Sequence, residues 1–192
     1  MSTTSDDGRA VRSPRKGAQD GPVSELSVFL KVKPGREQAI REAFNMPPAE
    51  QAELAKAIAD VGTLHSARYV LFDNGTRLLI ATTFDGDWDV YIEDFAASYV
   101  LDAWDKFLIY CEGYPDEGKD RAGLSVHEIK EFLTANQVTA SNFAMVYPGV
   151  TVPEIQEALR VQTAFQQVLD TPDAAEALQH PALRPLLEHA AD

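Results

Sequence analysis

Apolar and polar residues alternate from Leu26 to Lys33: Leu26, Val28, Leu30 and Val32 fall on one side, Ser27, Phe29, Lys31 and Lys33 on the other. That period of two predicts a strand, which Pro34-Gly35 ends. Helical spacing follows over residues 36–44 and again over 49–61, interrupted by Pro47-Pro48, with Ile40, Phe44, Leu54, Ile58 and Val61 on the buried side. Two apolar runs then flank Asn74-Gly75, the strongest short-range signal for a type I′ hairpin. A two-residue loop sets the pairing: Tyr69 opposite Ile80, Arg68 opposite Ala81, His65 opposite Phe84. One face then carries His65, Ala67, Tyr69, Leu71, Leu78, Ile80, Thr82 and Phe84; the other carries Ser66, Arg68, Val70, Phe72, Arg77, Leu79, Ala81 and Thr83. From Trp88 to Leu108 the apolar residues form one long helical stripe. Ser125 with Glu128 reads as a capping box for a helix to about residue 136. Residues 142–147 (NFAMVY) read as a last short strand, and Thr151 with Glu154 caps a helix to about residue 169. Two short helical pieces near residues 174–178 and 183–189 finish the chain.

The order of elements is βαββαβ with an insert, a ferredoxin-like α+β arrangement: a four-stranded antiparallel sheet with helices on one face and extra C-terminal helices. The expected divisions are a disordered tail over residues 1–24, an α+β domain over 25–150 with a connector and helix insert at 116–141, and a helical extension over 151–192. The face without helices carries Phe29, Val70, Phe72, Leu79 and Ala81, too apolar for water alone. Either two sheets pack face to face in a homodimer, or the C-terminal helices fold back over the sheet; the homodimer is the preferred reading.

Composition narrows the partners. The 192 residues carry a net charge of −13. Residues 1–24 hold Arg9, Arg12, Arg15 and Lys16 against Asp6, Asp7 and Asp20, a balance of +1 that leaves −14 on the remainder. An acidic body repels phosphate backbones and anionic lipid, so neither nucleic acid nor membrane is an expected partner. No apolar run approaches the roughly 20 residues of a membrane span, and no apolar h-region follows the N-terminus. The single cysteine, Cys111, rules out an internal disulfide. A cytoplasmic protein with a small-molecule ligand is the expectation.

Arg68, on the open face, reads as a planar two-point donor for a carboxylate, or else as half of a structural ion pair. Lys31, Phe29 and Phe72 share that face and are the candidate substrate-binding residues; Lys31 and Arg77 also fit strand ends reaching solvent. His65 suits a general base or an axial metal ligand, or a strand-end histidine bonded to backbone. Asp85, Asp87 and Asp89 suit the N-terminus of the helix that follows, with Asp85 also able to face a pocket. His65, Arg68 and Asp85 are therefore the candidate catalytic residues. No second His or Cys stands at ligand spacing, so no metal site is expected. Phosphate loops, nucleophile elbows and dinucleotide fingerprints are absent from the sequence.

The segments KVKPGRE (31–37), LHSARYVLFD (64–73), TTFDGDWDVYIEDF (82–95), EGYP (112–115) and FLTANQV through FAMVYPGVTVPEI (132–155) resemble a little-characterised bacterial group in the dimeric α/β-barrel class. Members show a His-x-Ala-Arg strand, a strand ending in Asp-Gly and a late Tyr-Pro-Gly. The wider class includes dye-decolourising peroxidases, chlorite dismutases and cofactor-free monooxygenases. The resemblance implies a small-molecule or haem pocket between sheet and helices, and it carries over only His65, Arg68, Asp85 and Gly86. The chain departs from the peroxidases' Gly-x-x-Asp-Gly: Thr82-Thr83-Phe84-Asp85-Gly86 lacks the first glycine. Two functions follow as expectations, an oxidoreductase or tailoring enzyme acting on a small organic substrate, and a non-catalytic ligand-binding or accessory module of the same fold. The residues assign no cofactor; haem is the one the resemblance implies.

Overall fold

In the computed structural model, which describes residues 17–115 and 124–190, the alternation of the first strand becomes the centre of a four-stranded antiparallel sheet. The strands are β1 (Gln19–Asp20), β2 (Val23–Lys31), β3 (Leu64–Phe72) and β4 (Arg77–Asp85), in the order β1-β2-β4-β3. The protein is thus mixed α+β. Its element order follows the expected one from β2 through the second helical layer; it departs at the start, where β1 is an added strand, and again after that layer.

Residues 142–147 do not form a strand. The free edge of β2 is closed instead by β1 and by isolated bridges from Gln137 to Val28 and from Cys111 to Val32. Within residues 142–147 Met145 N–H donates to the Asp20 carboxylate, and just before them Ala140 N–H donates to Glu25, each at 2.9 Å, so two contacts to distant carboxylates set the path of this segment. Residues 17–24, expected to be disordered, are ordered. Residues 17–24 supply β1 and the start of β2, where Val23 and Ser24 are buried, while residues 1–16 lie outside the described residues.

The hairpin turns at Asn74-Gly75 as expected, with Asp73 also at a positive φ of 49°. Asn74 (φ 58°, ψ 22°) and Gly75 (φ 88°) take the left-handed conformations of a type I′ turn, and Thr76 N–H donates to the Asp73 carbonyl at 3.2 Å. Gly75 is also buried against the earlier helix over Glu37–Ala43: a Cβ there would lie 2.9 Å from an Arg41 nitrogen. From the turn, the register runs as expected through Arg68 opposite Ala81 and Ser66 opposite Thr83. A β-bulge then intervenes between Leu64 and Ser66, so that Leu64, and not His65, opposes Phe84.

Helices α1 (Glu37–Ala43), α2 (Pro48–Val61), α3 (Trp88–Ala96) and α4 (Tyr99–Leu108) follow. The stripe expected as one helix breaks at Ser98, whose extended backbone and hydroxyl, accepting the Val100 N–H, start α4 afresh. The space between sheet and helices is filled with aromatic rings. Phe84 stacks on Tyr91 at 3.8 Å, Phe95 meets Trp104 at 4.2 Å, and Trp104 Nε1–H donates to the Tyr69 hydroxyl at 2.8 Å. Helix α5 (Val126–Asn136) opens with the expected capping box, both reciprocal bonds between Ser125 and Glu128 being present, and buries Ile129, Phe132 and Leu133.

The chain divides into two compact units, residues 1–152 and 153–192. The second comprises most of α6 (Val152–Leu169), then α7 (Ala175–Leu178) and α8 (Arg184–Ala190), and exposes Leu159, Val161, Val168 and Leu186. No helix among the described residues is long and apolar enough to cross a membrane.

Candidate functional site

The bulge decides the fate of His65. Strict alternation places it with Phe84 on the helix-packed face; the extra residue turns it instead toward Asp85, which alternation puts on the opposite side of β4 from Phe84. His65 Nε2 stands 2.7 Å from Asp85 Oδ1, with both side chains only 9% exposed. The second oxygen, Asp85 Oδ2, accepts the Val152 N–H at 2.6 Å. Asp85 N–H donates to the Thr63 carbonyl, and Gly86 N–H to that of Pro22, which pins the strand end on both sides. The three aspartates separate in role. Asp87 caps α3 by accepting the Asp89 N–H, Asp89 pairs with Lys130 at 3.1 Å, and Asp85 belongs to the histidine.

One rung further along, the helix-free face carries a cavity of about 170 Å³ lined by Glu25, Ser27, Ser66, Arg68, Asn142 and Phe143, among others. It lies on this face and not between sheet and helices, where the pocket was expected and where aromatic rings occupy the space. Arg68 is exposed and, among the described residues, makes no ion pair or hydrogen bond through its side chain. The segment over residues 138–143 that borders the cavity is held down by Glu25. That carboxylate is buried, with Oε1 accepting the Ala18 and Ala140 N–H groups at 3.0 and 2.9 Å and Oε2 accepting the Ser27 hydroxyl at 2.7 Å. A carboxylate bonded three ways tolerates burial, because each lost water contact is replaced. Glu25 is the residue that sequence reasoning missed. Its signal was a lone acid in line with Ser27, Phe29 and Lys31, on the face that holds Arg68.

The candidate substrate-binding residues gather at the turn end of the same face. Phe29 meets Phe72 edge to face at 6.4 Å, and the Arg77 guanidinium lies 5.1 Å from the centre of the Phe72 ring. Lys31 and Arg77 are direct cross-strand partners. With Phe29 they line a cleft of about 730 Å³ that does not include Arg68. The open face therefore holds two separate concavities, and the structure does not bring His65, Arg68, Asp85, Lys31, Phe29 and Phe72 into one constellation.

Cys111 is buried in the helix-packed core. Burial pushes its thiol up to about 12, against a smaller downward pull from Lys33, so it is not an activated nucleophile. Burial likewise raises Tyr69 and Tyr91. No three His, Cys, Asp or Glu side chains among the described residues gather as a metal site. Haem does not fit either. His65 Nε2 is engaged by Asp85, and the layer that would receive the macrocycle is filled by Phe84, Tyr91, Phe95 and Trp104.

No protein-family model and no curated protein matches this chain. Among solved structures, the chain is similar to a protein described as "Putative antibiotic biosynthesis monooxygenase from Nitrosomonas europaea", at 12% identity and a TM-score of 0.36, over 50% of this chain and 85% of that one.

Proposed function

We propose that this protein acts on a small organic anion, held by Arg68 on the helix-free face of the sheet, and that it is an oxidoreductase or related tailoring enzyme of the dimeric α/β-barrel type. One observation carries the ligand: Arg68 has no acid partner among the described residues and borders a cavity. A guanidinium in that setting offers two parallel N–H donors to a carboxylate. At about 170 Å³ the cavity takes a ligand of few heavy atoms, or the anionic end of a larger one. The reaction class comes from the sequence resemblance. His65, with its tautomer fixed by Asp85, is the group that would move a proton through Nδ1. A homodimer over the same face would cover Val70, which is 42% exposed beside Phe72 and Leu79.

Calorimetric titration with pyruvate, and with its neutral amide as control, tests the ligand. Binding of pyruvate alone, lost in Arg68→Ala, is expected; equal affinity of wild type and Arg68→Ala overturns the assignment. Equilibrium sedimentation tests the dimer, and a mass near 21.1 kDa would remove it.

The alternative, a non-catalytic binding or accessory module, draws on a different observation. Both Asp85 oxygens are already engaged, and His65 is not among the residues lining the Arg68 cavity. In that reading the pair is a clasp at the strand end. His65→Ala would then lower the melting temperature while leaving ligand affinity unchanged.

A further inference from the structure

Lys31 and Arg77 stand directly opposite one another across the β2–β4 ladder, so their side chains leave the sheet on the same face. Like charges in that relation repel, and strands ordinarily place an acid opposite a base. Here the chain has 30 acids against 17 bases and still sets two bases together. Neither is neutralised by an acid among the described residues. Lys31 makes no side-chain ion pair or hydrogen bond among the described residues. Arg77 has only a 3.7 Å approach to Asp73, with both groups about half exposed, a contact of little strength in water. Its guanidinium is instead held over the Phe72 ring.

The two cations share the cleft of about 730 Å³ with an apolar floor from Phe29, Phe132 and Ala135. Acids also border it: Glu128 closes the capping box with Ser125, and Glu131 and Glu112 are exposed at its rim, where water screens their charge. The volume falls within the range typical of small-ligand sites.

We propose that this cleft is a binding site for a small apolar carboxylate, whose carboxylate group bridges Lys31 and Arg77 and whose body lies against Phe29 and Phe132. A bridging anion converts the repulsive pair into two charge-assisted contacts, and the ring-anchored Arg77 presents a fixed donor plane to it. The site is separate from the Arg68 cavity and stands whether or not that cavity binds a ligand.

Benzoate is the probe, with benzamide as its neutral counterpart, titrated calorimetrically into the full chain. One benzoate per chain and no benzamide are expected. Lys31→Met should weaken benzoate by roughly tenfold or more, the equivalent of losing one charge-assisted contact. Arg68→Ala should leave benzoate unchanged, which separates this site from the pyruvate site. Lys31→Glu supplies a second readout, because it creates an opposite-charge pair with Arg77. It should abolish benzoate binding and raise the ligand-free melting temperature. Failure of benzoate to bind at millimolar concentration, or undiminished binding in Lys31→Met, overturns the proposal. A Lys31→Glu variant that melts lower and still binds benzoate does the same.

Discussion

The two faces of the central sheet are built on opposite principles. On the helix-packed face, Leu26, Val28, Leu30, Leu78, Ile80 and Phe84 are almost wholly buried, and their partners are rings and aliphatic chains. Stability there comes from apolar area removed from water and from close packing. On the other face the side chains alternate between apolar (Phe29, Val70, Phe72, Leu79) and charged (Glu25, Lys31, Arg68, Arg77), and they are covered in part by a non-strand segment tied through one carboxylate. The difference teaches where binding can reside. A face already closed by rings has no interaction left to give, whereas a face with unspent cations beside concavities does.

The contrast can be broken most decisively at Phe84, which is fully buried and stacked on Tyr91. Phe84→Ala should cost about 3–5 kcal/mol in urea or thermal unfolding, the usual range for a fully buried ring. Glu25 is the matching test on the open face. Glu25→Ala leaves the Ala18 and Ala140 N–H groups without acceptors and should cost about 2–4 kcal/mol, with Glu25→Gln milder because one acceptor oxygen remains. Hydrogen exchange should show the loss concentrated in residues 138–143. If Glu25→Ala costs as little as a surface change, the open face is not held by this latch. Asp85→Asn should cost about 1–3 kcal/mol, since it weakens both the contact to His65 and the bond from Val152.

The helix-packed face also imposes a pH limit. Cys111 is raised by burial from 9.0 to about 12, so the folded chain keeps a proton that the unfolded chain releases first. The sign follows: its contribution is complete below pH 9 and is lost as pH climbs from about 9 to about 12. Melting temperature should therefore fall with pH across that window, and Cys111→Ala should flatten the fall. Tyr69 and Tyr91, raised by the same cause, act in the same direction at higher pH. The smallest expected effect on stability is at Arg68. Arg68→Ala should change unfolding free energy by no more than about 0.5 kcal/mol, because no ion pair or hydrogen bond among the described residues is lost, while it should abolish pyruvate binding.

Much of the helix-packed face was legible residue by residue. Asn74-Gly75 set the pairing of Tyr69 with Ile80 and Arg68 with Ala81, because only residues tolerating positive φ make that turn and the loop length leaves a single register. Ser125 and Glu128 announced their helix through donors that any helix start must satisfy. His65 was misplaced because a bulge inserts one residue without altering the hydrophobic pattern on either side of it. The absent last strand has a related cause. NFAMVY carries a strand's composition, but the acceptors for two nearby N–H groups, Ala140 and Met145, come from Glu25 and Asp20, more than a hundred residues away in the chain.

By itself, then, the sequence determined the features that rest on neighbouring residues: the alternation of β2, the turn and register of the hairpin, the caps and the buried stripes. These depend on backbone sterics and on periodicity within a few residues. Only the tertiary structure decided which groups meet. It joined His65 to Asp85 through a bulge, set Glu25 beneath the 138–143 segment, and divided the open face between the Arg68 cavity and the Lys31–Arg77 cleft. Those choices depend on contacts between distant parts of the chain and on one-residue shifts that a hydrophobic pattern does not record.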